Sequence, residues 1–288
     1  MFHGVYTAMV TPFADNRLDE GRLREQVAFQ IEHGVDGLVP VGTTGESPTL
    51  SHAEHNRVVA VVIEASAGRV PVIAGTGSNS TAEALGMTRH AAEAGASASL
   101  QVVPYYNKPT QEGLYRHFIT IAEQVELPIV LYNIPGRSGV TLSVDTIVRL
   151  AAHPNIVAVK EATGNLDMSS DIASRCDLDI LSGDDSLTLP IMSVGGRGVI
   201  SVASNIVPDR VAEMCGLALK GDFAAARQRH LKLFPLFKAM FVETNPVPLK
   251  AAMKLLGRDS GEMRLPLCEI HHANLPLVES ALRAQNLL

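Results

Sequence analysis

The sequence has no tryptophan and only three cysteines among its 288 residues. Cys176, Cys215 and Cys268 are widely spaced, and none of them forms a CxxC pair. An odd number of dispersed cysteines argues against a disulfide framework and against a cysteine-based metal site. We therefore expect three reduced thiols that serve as packing residues in a protein of the cytoplasm.

Clusters of basic residues and long apolar runs are also missing. The formal net charge is −6, and no run of Lys or Arg could follow a phosphate backbone, which argues against nucleic acid or an anionic membrane as a partner. The longest apolar runs, such as residues 58–63, are far shorter than the roughly 18 residues that a membrane-spanning helix needs. The N-terminus lacks the basic start and the apolar segment of a signal peptide, so a cytoplasmic location is predicted.

Apolar side chains and a repeating order are what the sequence does have. Apolar residues make up 46% and charged residues 19%, which is enough for a large core. A short β-branched run, a loop, a helical segment and a glycine recur in that order up to about residue 220. The strands predicted from this order cover residues 5–10, 37–41, 70–74, 99–103, 128–132, 156–160, 179–182 and 198–202. Eight strand–helix units of this size predict an α/β fold, a (β/α)8 TIM barrel, over residues 1–222.

An open, doubly wound sheet is the rival fold. It usually has a glycine-rich first turn, and residues 5–13 contain none. Beyond residue 222 the pattern is helical only, over residues 223–240, 247–256 and 275–284, with prolines between the helices. We therefore predict a C-terminal helical appendage, residues 223–288, without a linker long enough to make it independent.

The run of residues 156–159 is wholly apolar and leads directly into Lys160. Such a run is typical of a parallel strand buried on both faces, which would carry the lysine into the protein interior. Burial disfavours the charged form of a lysine, and a neutral amine can attack a carbonyl carbon to form a Schiff base. The alternative is that the strand ends one residue earlier and Lys160 extends to solvent.

Active sites of such barrels lie at the C-terminal ends of the strands, which gathers residues distant in sequence at one mouth. The polar side chains predicted at these ends are Thr43, Thr44, Tyr105, Tyr106, Tyr132, Arg137 and Lys160. Singly, each has an ordinary explanation as a turn residue, a core aromatic or a surface charge. Together, a lysine, several hydroxyls and one guanidinium favour a site that handles a carbonyl acid.

Three motifs resemble sites for other chemistry but lack its requirements. The glycine-rich stretch 195–198 precedes the eighth strand and so lies at the opposite face. Residues 75–80 lack the third glycine of a dinucleotide fingerprint. Asp184 and Asp185 have no histidine or third carboxylate near them in sequence. We therefore expect neither a cofactor nor a metal.

Several of these segments resemble those of the dihydrodipicolinate synthase family, one of the pyruvate-dependent class I aldolases. The matching motifs are GTTGE at 42–46, YYN at 105–107, YNIP at 132–135, VKEATGNL at 159–166, GDD at 183–185, GVISV at 198–202 and NPVPLK at 245–250. The resemblance covers essentially the whole chain, and the paired threonines favour this family over the sialic acid lyases.

The resemblance implies a catalytic role for four residues. Lys160 would form the Schiff base with pyruvate. Tyr132, Thr43 and Tyr106 would form a proton relay, in which Tyr132 also positions the adduct. Tyr106 would enter from a neighbouring subunit, and the resemblance implies a homotetramer built as a dimer of dimers.

It also implies the substrates. Thr44 would hold the carboxylate of pyruvate, and Arg137 that of L-aspartate 4-semialdehyde, while Gly183 and Ile200 would line the pocket through their backbones. The product would be (4S)-4-hydroxy-2,3,4,5-tetrahydrodipicolinate, on the route to diaminopimelate and lysine. Two alternatives stay open: a related aldolase acting on sialic acid or 2-keto-3-deoxy sugars, and a ligand-binding barrel without catalysis.

L-Lysine is implied as a feedback inhibitor. The positions that match the inhibitor site of the family are Ser47, His52, His55, Gly77, Asn79, Glu83 and Tyr105. The alternative is that Glu83 forms a capping box with Ser80 and that the two histidines are ordinary surface residues. Pro48 departs from the small residue that the family commonly has in this loop, and Gly136 and Ser138 depart from the usual pattern beside Arg137.

Overall fold

The computed structural model describes residues 1–288, with eight parallel strands in its main sheet. The strands are β1 Gly4–Ala8, β2 Gly37–Val39, β3 Ile73–Gly75, β4 Ala98–Val102, β5 Ile129–Asn133, β6 Ile156–Glu161, β7 Asp179–Ser182 and β8 Gly198–Ser201. The helices that follow them are α1 Glu20–Glu32, α2 His52–Ser66, α3 Thr81–Ala94, α4 Gln111–Gln124, α5 Val144–Ala151, α6 Leu166–Arg175, α7 Thr188–Ser193 and α8 Pro208–Leu219. Three more follow the last of these: α9 Phe223–Ala239, α10 Val247–Leu255 and α11 Leu275–Ala284.

The strands close into a barrel. Their order is β2–β1–β8–β7–β6–β5–β4–β3, and a parallel bridge between Leu38 and Val72 joins β2 to the start of β3. Each strand therefore neighbours the next one in the chain, as helical crossovers between parallel strands require. The open sheet is wrong, and the predicted (β/α)8 TIM barrel with a C-terminal helical appendage is confirmed.

Alternation of side chains along the strands divides the core into two clusters. Twelve buried residues, including Tyr6, Leu100 and Leu181, fill the interior of the barrel. Sixty buried residues form the layer between the sheet and the helices.

Cys215 belongs to this outer layer, whereas Cys268 is exposed, so the expected packing role is wrong for Cys268.

Most predicted elements begin and end within a few residues of the observed ones. The third strand begins at Ile73 rather than residue 70, because Pro71 has no N–H to donate to a sheet and instead accepts, through its carbonyl, from Leu38 N at 3.0 Å. Several elements were not predicted. The helices Leu166–Arg175 and Thr188–Ser193 are among them, as are a hairpin of Phe13–Ala14 with Arg17–Leu18 and a single helical turn, Pro135–Ser138. The hairpin and the turn are too short to give a periodic signal.

Helices α9 to α11 share the core of the barrel. Leu236, Leu249 and Leu282, one from each helix, belong to the same buried cluster as the outward-facing barrel residues. The division at residues 222 and 223 stays a prediction.

None of the helices has the length and apolar character that a membrane crossing requires.

A buried ion pair joins the appendage to the barrel. Lys250 Nζ lies 2.5 Å from Glu46 Oε1, and both side chains are 0% exposed. The ammonium also donates to the carbonyl of Glu262 at 2.7 Å and lies 4.5 Å from the ring centroid of Phe13. The second carboxylate oxygen of Glu46 accepts from Arg264 N at 3.2 Å. Because Glu46 belongs to the loop that follows β2, this pair fixes the position of that loop.

Removal of one partner from this pair is expected to cost more stability than removal of both. Lys250→Met leaves the Glu46 carboxylate buried without its cation, and should lower the free energy of unfolding by about 3–5 kcal/mol. Adding Glu46→Gln removes the unpaired charge and should restore part of that loss. Urea denaturation followed by circular dichroism measures both values. A double variant as unstable as the single one would show that packing, rather than charge, explains the loss.

Candidate active site

Lys160 lies on β6 with its side chain inside the barrel. The strand continues to Glu161, and Lys160 is only 6% exposed. It shares a strand face with Ala158, which belongs to the interior cluster. Its Nζ lies 4.2 Å from the ring centroid of Tyr132, the residue paired with it on β5. The alternative in which Lys160 extends to solvent is therefore wrong.

Glu161, the next residue, belongs to the opposite face of the sheet. It is buried, its Oε1 accepts from Thr163 N at 2.6 Å, and its Oε2 has no hydrogen-bond partner. Burial raises the pKa of this carboxyl group. Strand alternation thus keeps Glu161 on the other side of the sheet from the amine of Lys160.

A cavity of about 520 Å³ opens at the C-terminal ends of the strands in the first half of the barrel. Thr43, Tyr132 and Arg137, three of the predicted site residues, line it. Lys160 is not part of the cavity wall. Its amine contacts the ring of Tyr132, and Tyr132 does belong to that wall. Tyr132 therefore connects the cavity to the buried amine.

The loop after β2 carries the paired threonines. Thr43 lines the cavity, whereas Thr44 is 3% exposed and its Oγ1 accepts a hydrogen bond from Asn245 Nδ2 at 2.9 Å. Gly45 is required here, because a Cβ at this position would lie 2.9 Å from Val41 N. Sequence reasoning missed Asn245 as a neighbour of the site, although the residue stands in one of the matching motifs.

Arg137 is held at the mouth by the helical turn after β5. Its Nη2 donates to the carbonyl of Asn245 at 3.3 Å and to Thr244 Oγ1 at 3.4 Å. The rest of the side chain is exposed and lines the cavity. The two residues expected to bind substrate carboxylates, Thr44 and Arg137, thus both contact Asn245.

Gly183 and Ile200 come from the seventh and eighth strand regions. A Cβ on Gly183 would lie 2.6 Å from Ala162 Cβ and 3.1 Å from Lys160 Cε, so the chain can pass this close to the lysine only without a side chain. Ile200 is 1% exposed and belongs to the interior cluster. Neither residue belongs to the cavity wall, and of the two it is Gly183 that lies against Lys160.

Tyr106 is not brought to Lys160 within this chain. It is 89% exposed, and its backbone has a φ of +72°, in the left-handed region that non-glycine residues rarely adopt. Tyr105 lines the cavity, whereas Tyr106 does not. The predicted relay role of Tyr106 therefore requires a second subunit and stays a prediction.

The residues expected to bind lysine lie on the same cavity, with one exception. Those in its wall are Ser47, His52, His55, Gly77, Glu83 and Tyr105. Asn79 lies outside the wall, where its Nδ2 donates to the carbonyl of Tyr105 at 3.2 Å. Residues of both candidate sites therefore line this cavity.

The carboxylate of Glu83 faces this cavity. Ser78 Oγ donates to it, and His52 Nε2 lies 2.7 Å from its Oε1. These two hydrogen bonds, that of Ser78 first, lower the pKa of Glu83. Only the backbone N–H of Glu83 bonds to Ser80 Oγ, so the predicted capping box is wrong as far as the Glu83 side chain is concerned.

The two histidines of α2 differ in their surroundings. His55 is 2% exposed, and its Nε2 donates to the carbonyl of Gly75 at 2.8 Å. Burial lowers the pKa of His55, so its ring is neutral near pH 7. The side chain of His52 is 69% exposed. The surface alternative therefore describes His52 and is wrong for His55.

Asp185 has a structural role at the end of β8. Its carboxylate accepts from Ser201 Oγ at 2.5 Å, from Val202 N at 3.0 Å and from Ala203 N at 3.1 Å. Burial raises the pKa of Asp185 to about 6. These hydrogen bonds come from the last residue of β8 and from the turn that follows it, so this carboxylate fixes the strand end that carries Ile200.

The fold and the site together define a class of protein. A TIM barrel with a buried lysine on its sixth strand, a tyrosine ring against the amine, and hydroxyls and a guanidinium at the mouth has the makeup of a class I aldolase-type lyase. A model of the Dihydrodipicolinate synthetase family matches residues 1–285. The chain belongs to this family.

Relatives over the full length support the same assignment. The 4-hydroxy-tetrahydrodipicolinate synthase of Citrifermentans bemidjiense is 53% identical over 290 residues, with 100% of both chains covered. That of Methanocaldococcus jannaschii is 52% identical over 289 residues, again with 100% of both chains covered. The predicted enzyme class, a lyase of lysine and diaminopimelate biosynthesis, is confirmed.

Solved structures of the family match the whole barrel and its appendage. The chloride-inhibited dihydrodipicolinate synthase of Acinetobacter baumannii in complex with pyruvate has a TM-score of 0.98 at 42% identity, covering 100% of both chains. The enzyme of Cyanidioschyzon merolae with lysine bound has a TM-score of 0.97 at 44% identity, covering 100% and 99%. A monomeric dihydrodipicolinate synthase variant has a TM-score of 0.98 at 43% identity, covering 100% and 98%.

Proposed function

We propose that this protein condenses pyruvate with L-aspartate 4-semialdehyde to (4S)-4-hydroxy-2,3,4,5-tetrahydrodipicolinate, with Lys160 as the amine that binds pyruvate. The observation that carries the proposal is the position of Lys160. It is 6% exposed at the end of β6, with its Nζ 4.2 Å from the centroid of the Tyr132 ring. The full-length identity to synthases of this name supports the choice of substrates.

The reaction follows from imine chemistry. The amine of Lys160 adds through its nitrogen lone pair to C2 of pyruvate, and loss of water leaves the imine. The imine withdraws electrons, so the pyruvate methyl group loses a proton and becomes an enamine carbon nucleophile. That carbon attacks the aldehyde carbon of the semialdehyde. The amino group of the new molecule then attacks C2, closes the ring and displaces the Lys160 amine.

Hydroxyl groups near the amine can move the protons that these steps require. Tyr132 both contacts Lys160 and lines the cavity, so its hydroxyl is suited to pass protons between the adduct and Thr43. Thr44 binds the pyruvate carboxylate through its hydroxyl, and Arg137 binds the carboxylate of the second substrate. Gly183 and Ile200 leave room for the adduct beside Lys160.

Borohydride trapping tests the role of Lys160 directly. Reduction in the presence of pyruvate is expected to leave a stable adduct on the peptide that contains Lys160, detected by mass spectrometry. Lys160→Arg should abolish the adduct and reduce condensation by several orders of magnitude, because a guanidinium is not nucleophilic at neutral pH. Lys220→Arg, on the exposed end of α8, is the matched control. If the Lys160 peptide stays unmodified, the only remaining hypothesis is a ligand-binding barrel without catalysis. If an adduct forms but the enzyme turns over N-acetylmannosamine instead of the semialdehyde, the sialic acid alternative is favoured.

We further propose that the working enzyme is a homotetramer, a dimer of dimers, in which Tyr106 completes the relay of a neighbouring subunit. Its support is the exposure of Tyr106, an aromatic side chain that is 89% exposed on a backbone with a φ of +72°. An exposed aromatic residue held in a strained conformation suits an interface.

The cysteines, none of which forms a disulfide, suit the cytoplasm as the location.

Complementation between inactive variants tests whether Tyr106 acts across subunits. Lys160→Ala and Tyr106→Phe are each expected to lose most activity as pure proteins. Coexpression should restore up to about a quarter of the activity per site, because in a mixed dimer one site then has both a normal Lys160 and a normal Tyr106. Coexpression of Lys160→Ala with Tyr132→Phe, two residues of the same chain, is the control and should restore none. Equal recovery in both mixtures, or none in either, would contradict the shared site.

The inhibitor site is also a proposal. We infer that L-lysine binds in the cavity against Ser47, His52, His55, Gly77, Glu83 and Tyr105 of its wall, with Asn79 beside Tyr105 as a further contact. The carboxylate of Glu83 faces the cavity without a Lys or Arg partner, which suits the ammonium group of an amino acid. The related structure with lysine bound supports this choice of ligand.

Calorimetric titration with lysine tests this site. Glu83→Gln should weaken binding about 10- to 100-fold, the usual cost of losing a hydrogen bond to a charged group. Glu93→Gln, exposed on the same helix, is the control. Because the pKa of Glu83 lies below its ordinary value, this carboxylate stays charged as pH falls from 7 to about 5, and its contribution to binding should persist over that window. Absence of heat at millimolar lysine would rule the site out.

A further inference from the structure

Asn245 connects the two carboxylate-binding residues of the proposed site from outside the barrel. It lies just before α10, in the helical appendage, and is 5% exposed. Its side-chain Nδ2 donates to Thr44 Oγ1 at 2.9 Å, and its main-chain carbonyl accepts from Arg137 Nη2 at 3.3 Å. Its side chain and its backbone thus serve different partners.

The direction of the hydrogen bond to Thr44 has a chemical consequence. A hydroxyl has one proton to donate and two lone pairs that accept. Since Asn245 Nδ2 occupies a lone pair of Thr44 Oγ1, the hydroxyl proton is left free, and the chain supplies no acceptor for it. A substrate carboxylate oxygen can only accept, so the free proton is the group that it needs. The amide also polarises the hydroxyl and strengthens its donation.

We propose that Asn245 is a positioning residue for pyruvate: its amide occupies the acceptor side of the Thr44 hydroxyl and directs the proton of that hydroxyl to the substrate carboxylate. The inference rests on the proposed function. It adds the appendage to the parts of the protein that the reaction depends on.

The surroundings keep this amide in place. Thr44 is 3% exposed, and Glu46, two residues further along the same loop, is held by Lys250 of α10 at 2.5 Å. The loop and α10 are therefore tied together beside the Asn245–Thr44 hydrogen bond. Asn245 Oδ1 is buried and accepts no hydrogen bond within the chain, so the bond to Thr44 is the only one that the side-chain amide makes.

Steady-state kinetics with both substrates tests the inference. Asn245→Ala removes the amide but keeps the carbonyl that holds Arg137. The KM for pyruvate is expected to rise about three- to tenfold, the worth of one hydrogen bond, while the KM for L-aspartate 4-semialdehyde changes less than about twofold. Asn245→Asp should raise the pyruvate KM further than Asn245→Ala, because its carboxylate accepts the Thr44 proton and repels the substrate carboxylate.

A double-mutant cycle with Thr44→Val separates positioning from general support of the fold. In that background the hydroxyl is absent, so Asn245→Ala should change the pyruvate KM by less than about twofold. Asn274→Ala removes another side-chain amide of the appendage, one that donates to Glu243 at 2.8 Å, and serves as the control. Should Asn245→Ala fail to fold in urea denaturation tests, Asn245→Ser replaces it.

The outcomes are distinguishable. Equal increases in both KM values, or an Asn245→Ala effect that persists beside Thr44→Val, would overturn the positioning role and leave a structural one. A normal pyruvate KM in Asn245→Ala, together with a trapped imine on Lys160 of the unmodified protein, would reject this inference alone. Absence of the trapped imine in the unmodified protein would reject the proposed function itself.

Discussion

The buried contact between Glu46 and Lys250 is the constraint on which the rest of the site depends. Both groups are removed from water, so the loss of either would leave the other buried without its charged partner. One belongs to the loop that carries the paired threonines, and the other to a helix outside the barrel. The contact therefore holds the threonine loop and α10 together as one rigid unit, called the shared wall below. Thr44, Asn245 and Arg137 are arranged along that wall, and their geometry follows from it.

Strand alternation supplies the second constraint. Residues of β6 point in turn into the barrel and out toward the helices, so Lys160 and Glu161 are adjacent in sequence yet lie on opposite faces of the sheet. An amine that must act as a nucleophile is thus separated from the nearest carboxylate in sequence. Gly183 completes the arrangement, because the backbone after β7 passes the lysine stem at a distance that no side chain would allow.

The barrel and the position of Lys160 were predictable because they follow from local patterns. An apolar run of four residues before a lysine, repeated strand–helix units and the C-terminal-end rule lead to the same place. The partner of Thr44 was not predictable in this way. Asn245 lies 201 positions away, and no periodicity relates two residues joined only by tertiary packing. Glu83 shows the other limit, since its spacing from Ser80 matched a cap while His52 and Ser78 compete for its carboxylate.

The shared wall also bears on how such a protein changes over evolutionary time. The loop at residues 42–46 and the segment that contains Asn245 and Lys250 are expected to be inherited together. Recombination that exchanged only one of them between paralogues would separate Glu46 from Lys250 and Thr44 from Asn245. Point changes are free of this linkage at Pro48 and Ser138, which line the cavity but take no part in the hydrogen bonds and the ion pair that join the threonine loop to Asn245 and Lys250. Divergence in what the barrel accepts is therefore expected to accumulate at such positions, while the appendage and the threonine loop are inherited together.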